Sequence, residues 1–321
     1  MHLLGQHHVS IMTGKAEKNF EFFTKVLGMR LVKKSVNQDN TTSYHLFYGD
    51  AVASPGTEVT YFDYPGIGPS YHGISSISAT SLRVPTTASL EFWASRLDFF
   101  GVKREEIEGR AGRDTLAFED FEGTRLILAA DNDESGVAPG TPWAADGIPL
   151  EHAVVGLGPV TLTVGDPKPT ALALTQLLGF RKVGSYPSLA GDFAEIEVFA
   201  TGEGGSGAEV HVEARPDLPR ARLGRGGVHH VAFRIPNEEE YAKWIDRIAA
   251  SGLPNSGRVD RDYFRALYFR EPNGILFELS TDTPGFDIDE PVESLGEKLG
   301  LPSFLEHRRA EIEANLRPLD L

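Results

Sequence analysis

Two doubled histidines and one glutamate are the residues of this chain best suited to chemistry. His-His-Val occurs at residues 7–9 and again at residues 229–231, and Glu278 lies in an apolar segment that follows the second copy. Two imidazoles and one carboxylate, brought together from separate strands, form a ligand set that holds a redox-active iron and leaves coordination positions open. If these residues converge, the sequence predicts a metal enzyme.

Composition narrows the class of protein before any element is placed. The 321 residues carry a net charge of −15, which argues against nucleic acid and anionic membrane surfaces as partners. The absence of cysteine excludes disulfides, thiolate zinc sites and a cysteine nucleophile, so a metal would need nitrogen and oxygen ligands. We find no apolar run near the roughly 20 residues of a membrane span and no secretion signal, and we expect a cytoplasmic protein.

Four internal repeats organise the chain. Each begins with a histidine-containing strand start and continues into a helix with an apolar stripe, and two or three strand-like runs follow. The strand starts are residues 6–11, 71–76, 150–155 and 228–233, and the glycines that end the helices are Gly28, Gly101, Gly179 and Gly252. The sequence therefore predicts an α+β fold of four βαβββ modules with curved mixed or antiparallel sheets.

A single module would leave one sheet face exposed, so the modules are expected to pair. A stretch rich in Gly, Pro, Ala and Asp, residues 131–149, separates the second module from the third. We predict a domain of modules one and two, a linker, a domain of modules three and four, and a C-terminal tail, at residues 1–135, 136–149, 150–282 and 283–321. In the tail, Ser303 is predicted to cap a helix that ends at Asn315, with Glu306 completing a capping box.

Strand geometry constrains the two histidine pairs. Neighbouring strand residues face opposite sides, so one histidine of each pair should point into the curved sheet and the other outward or toward the rim. A buried Glu278 without a partner would be costly, and a metal would remove that cost. His152, at the start of module three, is a rival third ligand. His211 and Glu213 are expected to be polar surface residues of an edge strand, and nothing in the sequence singles out His45.

Tyr268 and Glu278 flank a predicted hairpin turn. They lie ten residues apart, and the Asn-Gly pair at residues 273–274 is a strong hairpin signal. Placement on one face would bring the phenol of Tyr268 toward the metal. Arg261 would supply a cationic group where negative charge develops on a bound oxygen.

The modules, the His-His-Val starts and the segment from residue 260 to residue 278 resemble the vicinal oxygen chelate superfamily. That superfamily includes glyoxalase I, bleomycin-resistance proteins and extradiol dioxygenases, and the chain is most similar to its hydroquinone-type ring-cleaving dioxygenases. The resemblance implies Fe(II), with Mn(II) or another divalent metal as alternatives, held by His8, His230 and Glu278. It also implies functional groups around the metal at His7, His229, Arg261 and Tyr268.

The resemblance further implies a dioxygenase that uses O2 to open the ring of a small aromatic diol, hydroquinone-like or otherwise dihydroxylated, to an acid. A catechol extradiol enzyme would share this ligand set. A glyoxalase-type isomerase would need a second carboxylate ligand, and residues 59–62 contain no carboxylate. A non-enzymatic binding protein would not need all three ligands. The ring substituents, the physiological metal and homo-oligomer formation are left open by the sequence.

Overall fold

Two eight-stranded sheets form the frame of the molecule in a computed structural model that describes residues 1–132 and 134–319. The first sheet has the order β14-β15-β16-β13-β1-β4-β3-β2. Its strands are β1 Gln6–Thr13, β2 Arg30–Asn37, β3 Asn40–Gly49, β4 Glu58–Asp63, β13 Val228–Ile235, β14 Val259–Asp260, β15 Phe264–Arg270 and β16 Leu276–Pro284.

The second sheet has the order β10-β11-β12-β9-β5-β8-β7-β6. Its strands are β5 Ser76–Val84, β6 Arg104–Arg110, β7 Arg113–Glu119, β8 Arg125–Ala130, β9 Gly156–Val164, β10 Arg181–Tyr186, β11 Ile196–Ala200 and β12 Glu209–Ala214. In both sheets the first and last strands of each module lie parallel at the centre. The predicted α+β fold of four βαβββ modules is confirmed.

The pairing of the modules differs from the prediction. The first sheet joins module one to module four and the second joins module two to module three, whereas consecutive modules were expected to pair. The modules are joined where the first strands of two modules lie antiparallel, and we call this line the seam of the sheet. The seam is β1 beside β13 in the first sheet and β5 beside β9 in the second. Both doubled histidines therefore lie at one seam. The domain boundaries themselves stay a prediction.

Each module carries a helix that ends at the predicted glycine. The helices are α1 Ala16–Glu21, α2 Thr87–Phe99, α3 Pro167–Leu172 and α4 Glu238–Ala250, and α1 and α3 continue as π-helical turns, Phe22–Val26 and Ala173–Leu177. Gly28, Gly101, Gly179 and Gly252 all have positive φ, which residues other than glycine rarely adopt. Short 3₁₀ segments are Leu150–His152, Ser206–Ala208, Phe286–Ile288, Val292–Ser294 and Ser303–Arg308.

The helices cover the sheets with large apolar side chains. Trp93 of α2 and Trp244 of α4 are among the largest fully buried residues. Such side chains contribute most of the hydrophobic stabilisation, at roughly 25 cal/mol for each Å² removed from water. Among the described residues, no helix combines the length and the apolarity needed to cross a membrane.

The C-terminal tail forms a shorter helix than predicted. Residues 303–308 are 3₁₀, and the α-helix, α5, is Arg309–Asn315. The predicted capping box is wrong, because the Ser303 hydroxyl and N–H both donate to the Asp262 carboxylate and Glu306 pairs with Arg309 instead. Leu305, Ile312 and Leu316 of this segment are buried, whereas Phe304 is 46% exposed.

Candidate metal centre

Three side chains from three strands of the first sheet converge on one point. His8 comes from β1, His230 from β13 and Glu278 from β16, and all three are buried. His8 Nε2 and His230 Nε2 lie 3.2 Å apart, and Glu278 Oε2 lies 3.2 Å from the first and 2.8 Å from the second. The predicted ligand residues are therefore brought together, and His8 rather than His152 is the third member.

The size of this triangle suits three ligands of a single metal ion. Ligand atoms bonded to one ion at about 2.1 Å lie about 3.0 Å apart at right angles and about 3.4 Å apart at tetrahedral angles. The observed separations of 2.8 to 3.2 Å lie close to these values. Two imidazoles and one carboxylate would leave further coordination positions open.

The carboxylate of Glu278 has one satisfied oxygen and one that lacks a hydrogen-bond donor. Ser280 Oγ donates to Oε1 at 2.7 Å, while Oε2 is buried without a hydrogen-bond partner and faces the two Nε2 atoms. Burial alone would raise the pKa of this carboxyl, whereas positive charge at the positions of His8 and His230 lowers its pKa well below the usual range, and a bound cation would supply that charge when the two rings are neutral ligands. An ionised, buried oxygen aimed at two ring nitrogens is the arrangement that a divalent cation would satisfy.

The first histidine of each pair orients the second. His7 Nε2 lies 3.2 Å from the Thr281 carbonyl oxygen, which can only accept, so this nitrogen carries the proton. His7 Nδ1 is then an acceptor, and it lies 3.0 Å from His8 Nδ1, which must donate. The proton of His8 therefore sits on Nδ1, and its Nε2 offers a lone pair to the metal position. Fixing the tautomer of a ligand in this way is the usual task of its hydrogen-bond partner.

The second pair follows the same logic. His229 Nδ1 lies 2.7 Å from His230 Nδ1, so a metal-binding Nε2 on His230 requires His230 Nδ1 to donate and His229 Nδ1 to accept. Burial and the neighbouring imidazole lower the pKa of both His7 and His229 to about 3, so both rings are neutral and can accept. In each histidine pair, the first histidine therefore fixes the tautomer of the second, which is the candidate ligand.

Strict alternation of side chains does not hold at either pair. The rings of His7 and His8 are 5.1 Å apart and those of His229 and His230 are 5.0 Å apart, too close for opposite faces of a strand. The register of β1 against β13 shifts at both places, between residues 6 and 9 and again opposite His229. Bulges of this kind re-aim side chains, which explains why both members of each pair reach the same site.

Module one places a hydroxyl where module four places its carboxylate. Glu278 lies beside Ala232, two residues after His230, and Thr60 lies beside Ser10, two residues after His8. The Thr60 hydroxyl is held by Ser10 Oγ at 2.7 Å and by His45 Nε2 at 2.8 Å. Among the described residues, the cluster of potential ligands therefore contains one carboxylate.

A second buried carboxyl close to this position takes no part in the cluster. Glu58 lies beside His8 in the strand register, and neither of its oxygens has a hydrogen-bond partner. Burial and the nearby Asp50 raise the pKa of Glu58 well above its usual range, which keeps the group neutral.

A cavity of about 420 Å³ opens over the metal position. Its size is in the range of small-molecule sites, and aromatic side chains form much of its wall. Those aromatic residues are His45, Phe47, Phe62, Tyr64, Tyr263, Phe264 and Tyr268. His45, which the sequence did not single out, lies between Phe47 and Phe62 with ring centroids 3.9 and 4.1 Å away.

Tyr268 and Arg261 meet at the rim of this cavity. The hairpin between β15 and β16 is confirmed, and Tyr268 lies directly across from Glu278. Arg261 Nε donates to the Tyr268 hydroxyl at 3.1 Å, and a second guanidinium nitrogen pairs with Asp39 at 3.0 Å. Burial raises the pKa of Tyr268 well above its usual value, so the phenol is protonated. His229 lines the same cavity, whereas His7 does not.

His152 and His211 lie away from the cluster. His152 stacks on Phe92 at 4.8 Å and contacts Ser89, beside helix α2. The prediction that His211 is a surface residue is wrong, because β12 lies inside the second sheet and His211 is buried between Tyr186 and Glu209. Glu213 accepts from Thr163 and Ser188 and is partly buried.

Comparison with known proteins places this site in a family. The sequence profile of the Glyoxalase/Bleomycin resistance protein/Dioxygenase superfamily matches residues 5–128 and 156–279. A Bacillus subtilis protein named "Putative ring-cleaving dioxygenase MhqA" is 54% identical over 319 residues, which cover 99% of this chain and 100% of that protein. The chlorohydroquinone/hydroquinone 1,2-dioxygenase of Sphingobium indicum is 29% identical over 96% of this chain and 94% of its own length.

A solved structure agrees over nearly the whole chain. The crystal structure titled "putative dioxygenase" from Bacillus subtilis superposes with a TM-score of 0.90 at 34% identity. It covers 99% of this chain and 98% of its own. Both sheets and the tail therefore have counterparts in one known molecule.

Proposed function

Because the chain belongs to the Glyoxalase/Bleomycin resistance protein/Dioxygenase superfamily, we propose that it is an Fe(II)-dependent dioxygenase that opens the ring of a hydroquinone-like substrate. The observation that carries this proposal is the convergence of His8, His230 and Glu278 beneath an aromatic cavity. The names of MhqA and of the Sphingobium enzyme support ring cleavage, and the latter supports a hydroquinone substrate.

The donor set favours iron among the divalent metals. Two imidazoles and one carboxylate on a single face are characteristic of non-haem Fe(II) oxygenases, and they leave open positions on the metal. Bound Fe(II) would stabilise the phenolate form of a coordinated diol and supply the redox chemistry that O2 requires. Mn(II) fits the same donors, so metal analysis must decide between the two.

The cavity walls suit a single aromatic ring. Phe47, Phe62 and Phe264 are apolar surfaces of the cavity against which an aromatic ring can lie. Aromatic pairs prefer offset or edge-to-face contacts, which these tilted side chains offer. The polar groups of the cavity then set which ring positions carry hydroxyl groups.

Two side chains are placed to handle protons. The Tyr268 hydroxyl accepts from Arg261 and lies beside Glu278, so with the carboxylate bound to a metal its proton could be donated toward an oxygen in the cavity. In the tautomer deduced above, His229 carries its proton on Nε2 and is a second donor at the cavity wall. Arg261 contributes a fixed positive charge beside the phenol, which stabilises negative charge on a substrate oxygen.

His7 has a different role from His229 in this proposal. Both of its ring nitrogens are engaged, one with His8 and one with Thr281, and the ring does not line the cavity. We therefore assign His7 to positioning His8 rather than to proton transfer with substrate.

The glyoxalase-type isomerase is disfavoured by Thr60. An isomerase of that kind was expected to need a second carboxylate ligand, and the symmetric position in module one is this threonine. Its hydroxyl is already engaged with Ser10 and His45.

Oxygen uptake by protein loaded with Fe(II) without air tests the proposal. We expect uptake with hydroquinone, slower uptake with catechol, and no isomerisation of the methylglyoxal–glutathione adduct. With ¹⁸O₂, both labelled atoms should appear in the ring-opened acid. His152→Gln is the matched control for His8→Gln, because His152 lies outside the cluster. Iron-loaded protein that consumes no oxygen with any aromatic diol would contradict the proposal.

A further inference from the structure

A second cleft lies beside the cavity over the candidate metal position. Arginines are the charged side chains that line it. Its volume is about 220 Å³, and it shares His229 and Leu276 with the cavity over the metal position. Its lining contains no aspartate or glutamate. We call it the arginine cleft after the residues that define it, Arg125, Arg220, Arg222 and Arg270.

The four arginines of the cleft are exposed, and they differ from several arginines elsewhere in the molecule that form ion pairs. Arg83 pairs with Asp131, Arg113 with Glu209 and Arg234 with Asp282. Within residues 1–132 and 134–319, no carboxylate lies within ion-pair distance of the four arginines of the cleft, although the chain carries a net charge of −15. Glu119 lies across the strand pair from Arg125 but does not line the cleft, and the grouped cations repel one another, so the cleft favours an anion.

Two of the guanidinium groups meet at one glycine. Arg270 Nη1 donates to the Gly274 carbonyl at 2.8 Å, and Arg220 Nη2 lies 2.9 Å from the place that a Cβ on Gly274 would occupy. A side chain at residue 274 would therefore displace Arg220. The Asn-Gly turn thus makes room for a guanidinium as well as closing the hairpin between β15 and β16.

The wall that presents Arg220 and Arg222 is held by backbone hydrogen bonds. Residues 68–74, before β5, run beside residues 219–225, before β13, with Tyr71 and Arg222 exchanging both of their backbone bonds at 2.9 and 3.0 Å. The Arg222 guanidinium also stacks on the Tyr71 ring, 4.1 Å from its centroid. Fixed guanidinium groups bind planar anions at a smaller cost in conformational entropy than mobile ones.

We propose that the arginine cleft binds the carboxylate of the ring-opened product, an assignment that rests on the proposed function. Guanidinium groups match the planar, two-oxygen geometry of a carboxylate. Hydroquinone itself has no carboxylate, so cleavage of its ring creates the group that the cleft recognises. Since His229 and Leu276 border both spaces, a product formed in the cavity lies next to the arginine cleft.

Binding of a stable product mimic to the Fe(II)-loaded enzyme under anaerobic conditions tests this proposal. Sorbate, a six-carbon unsaturated monocarboxylate, is the probe, and its neutral alcohol, 2,4-hexadien-1-ol, is the control ligand. We expect sorbate to bind more tightly than the alcohol and its Kd to rise about 10-fold or more in Arg220→Gln/Arg270→Gln, as loss of charged hydrogen bonds implies. Arg181→Gln, which removes an exposed arginine on β10, should leave the Kd unchanged.

Each outcome separates the cleft from the metal. If sorbate still binds after metal removal and binds more weakly to Arg220→Gln/Arg270→Gln, the result supports carboxylate binding in the arginine cleft. If sorbate binding requires the metal and is unchanged in the double variant, the result overturns that proposal. Arg222→Gln, an exposed single change, repeats the test if the double variant unfolds. In turnover with hydroquinone, the inhibition constant of sorbate should rise in the same variants. Arginine-dependent sorbate binding in a protein that cleaves no diol would overturn the product assignment and, separately, the proposed function.

Discussion

The two sheets share one architecture but treat their buried charges in opposite ways. At the positions of His8, His230 and Glu278, counted through the strand registers, the second sheet has Pro159, Ala79 and Ile127. At the position of Thr60 it has His211, and at that of Glu58 it has Glu209. The second sheet therefore lacks the three candidate ligands and carries a different polar cluster at its seam.

The partners of the buried carboxylates show what this difference means. Both oxygens of Glu209 accept from Arg113, at 2.7 Å each, and His211 adds a further contact. Glu278 is also ionised and buried, yet its Oε2 faces ring nitrogens and no protein cation of the arginine or lysine type. One sheet neutralises its carboxylate with a guanidinium, and the other presents its carboxylate in a cluster that fits the proposed metal.

Removing a proposed metal ligand should have the largest effect. Glu278→Gln and His8→Gln should lower Fe(II) affinity by more than about 100-fold, because loss of an outer partner alone costs about 10- to 100-fold. Iron content after desalting and oxygen uptake with hydroquinone both report the loss. His152→Gln should keep both values at the wild-type level, and iron loss in that variant instead of His8→Gln would reverse the ligand assignment.

Removing Arg113, the cation that pairs with Glu209 in the second sheet, should lower the free energy of unfolding and leave metal binding unchanged. Arg113→Met leaves Glu209 buried beside His211 without its main partner, and breaking a buried ion pair costs about 3–5 kcal/mol. Urea unfolding measures this loss, and the iron content of the folded protein should stay the same. Arg113→Met/Glu209→Met should recover much of the stability. A single variant as stable as the wild type would refute the role given to Arg113.

Removing the histidine behind a ligand should weaken metal binding to a smaller degree. His7→Phe keeps a ring in the buried space but loses the acceptor for His8 Nδ1, so Fe(II) affinity should fall about 10- to 100-fold. Competition with a chelator measures the affinity. At saturating iron, the KM for hydroquinone should change little, because His7 does not line the cavity. A large rise in KM with unchanged affinity would contradict the positioning role.

Acid should destabilise the metal-free protein through the same histidines. The pKa of His7 and of His229 is about 3 in the folded protein and 6.5 when exposed, so the unfolded state binds more protons below pH 6.5. The free energy of unfolding is therefore unaffected by these histidines above pH 6.5. It falls as the pH drops from 6.5 toward 3, by at most about 1.4 kcal/mol per pH unit for each histidine. Urea unfolding at several pH values should give a shallower dependence for His7→Phe than for His307→Gln, an exposed control. Equal slopes would contradict burial of a neutral His7.

Local patterns predicted much of the fold, because the features concerned depend on neighbouring residues. The four helix-ending glycines, the hairpin before Glu278 and the last strand of each module follow from backbone preferences and apolar periodicity. The resemblance named His8, His230 and Glu278, and the structure brings those residues together.

Features that depend on distant contacts could not be predicted from the sequence. The pairing of module one with module four joins strands more than 200 residues apart, and no local signal distinguishes it from pairing of consecutive modules. The bulges that place His7 and His229 beside the ligands arise from the register between β1 and β13. His45 gains its position from Thr60 and Phe62 across a strand pair and from Phe47 on its own strand. The arginine cleft is lined by four separate segments.

The position of the metal in crystals grown from Fe(II)-loaded protein tests the central claim most directly. Anomalous diffraction at the iron edge should give one strong peak per chain, about 2.0–2.3 Å from His8 Nε2, His230 Nε2 and Glu278 Oε2. No such peak should appear in the second sheet, near Glu209 and His211. A peak that includes His152 or His211, or no peak at the triangle in iron-loaded protein, would contradict the account.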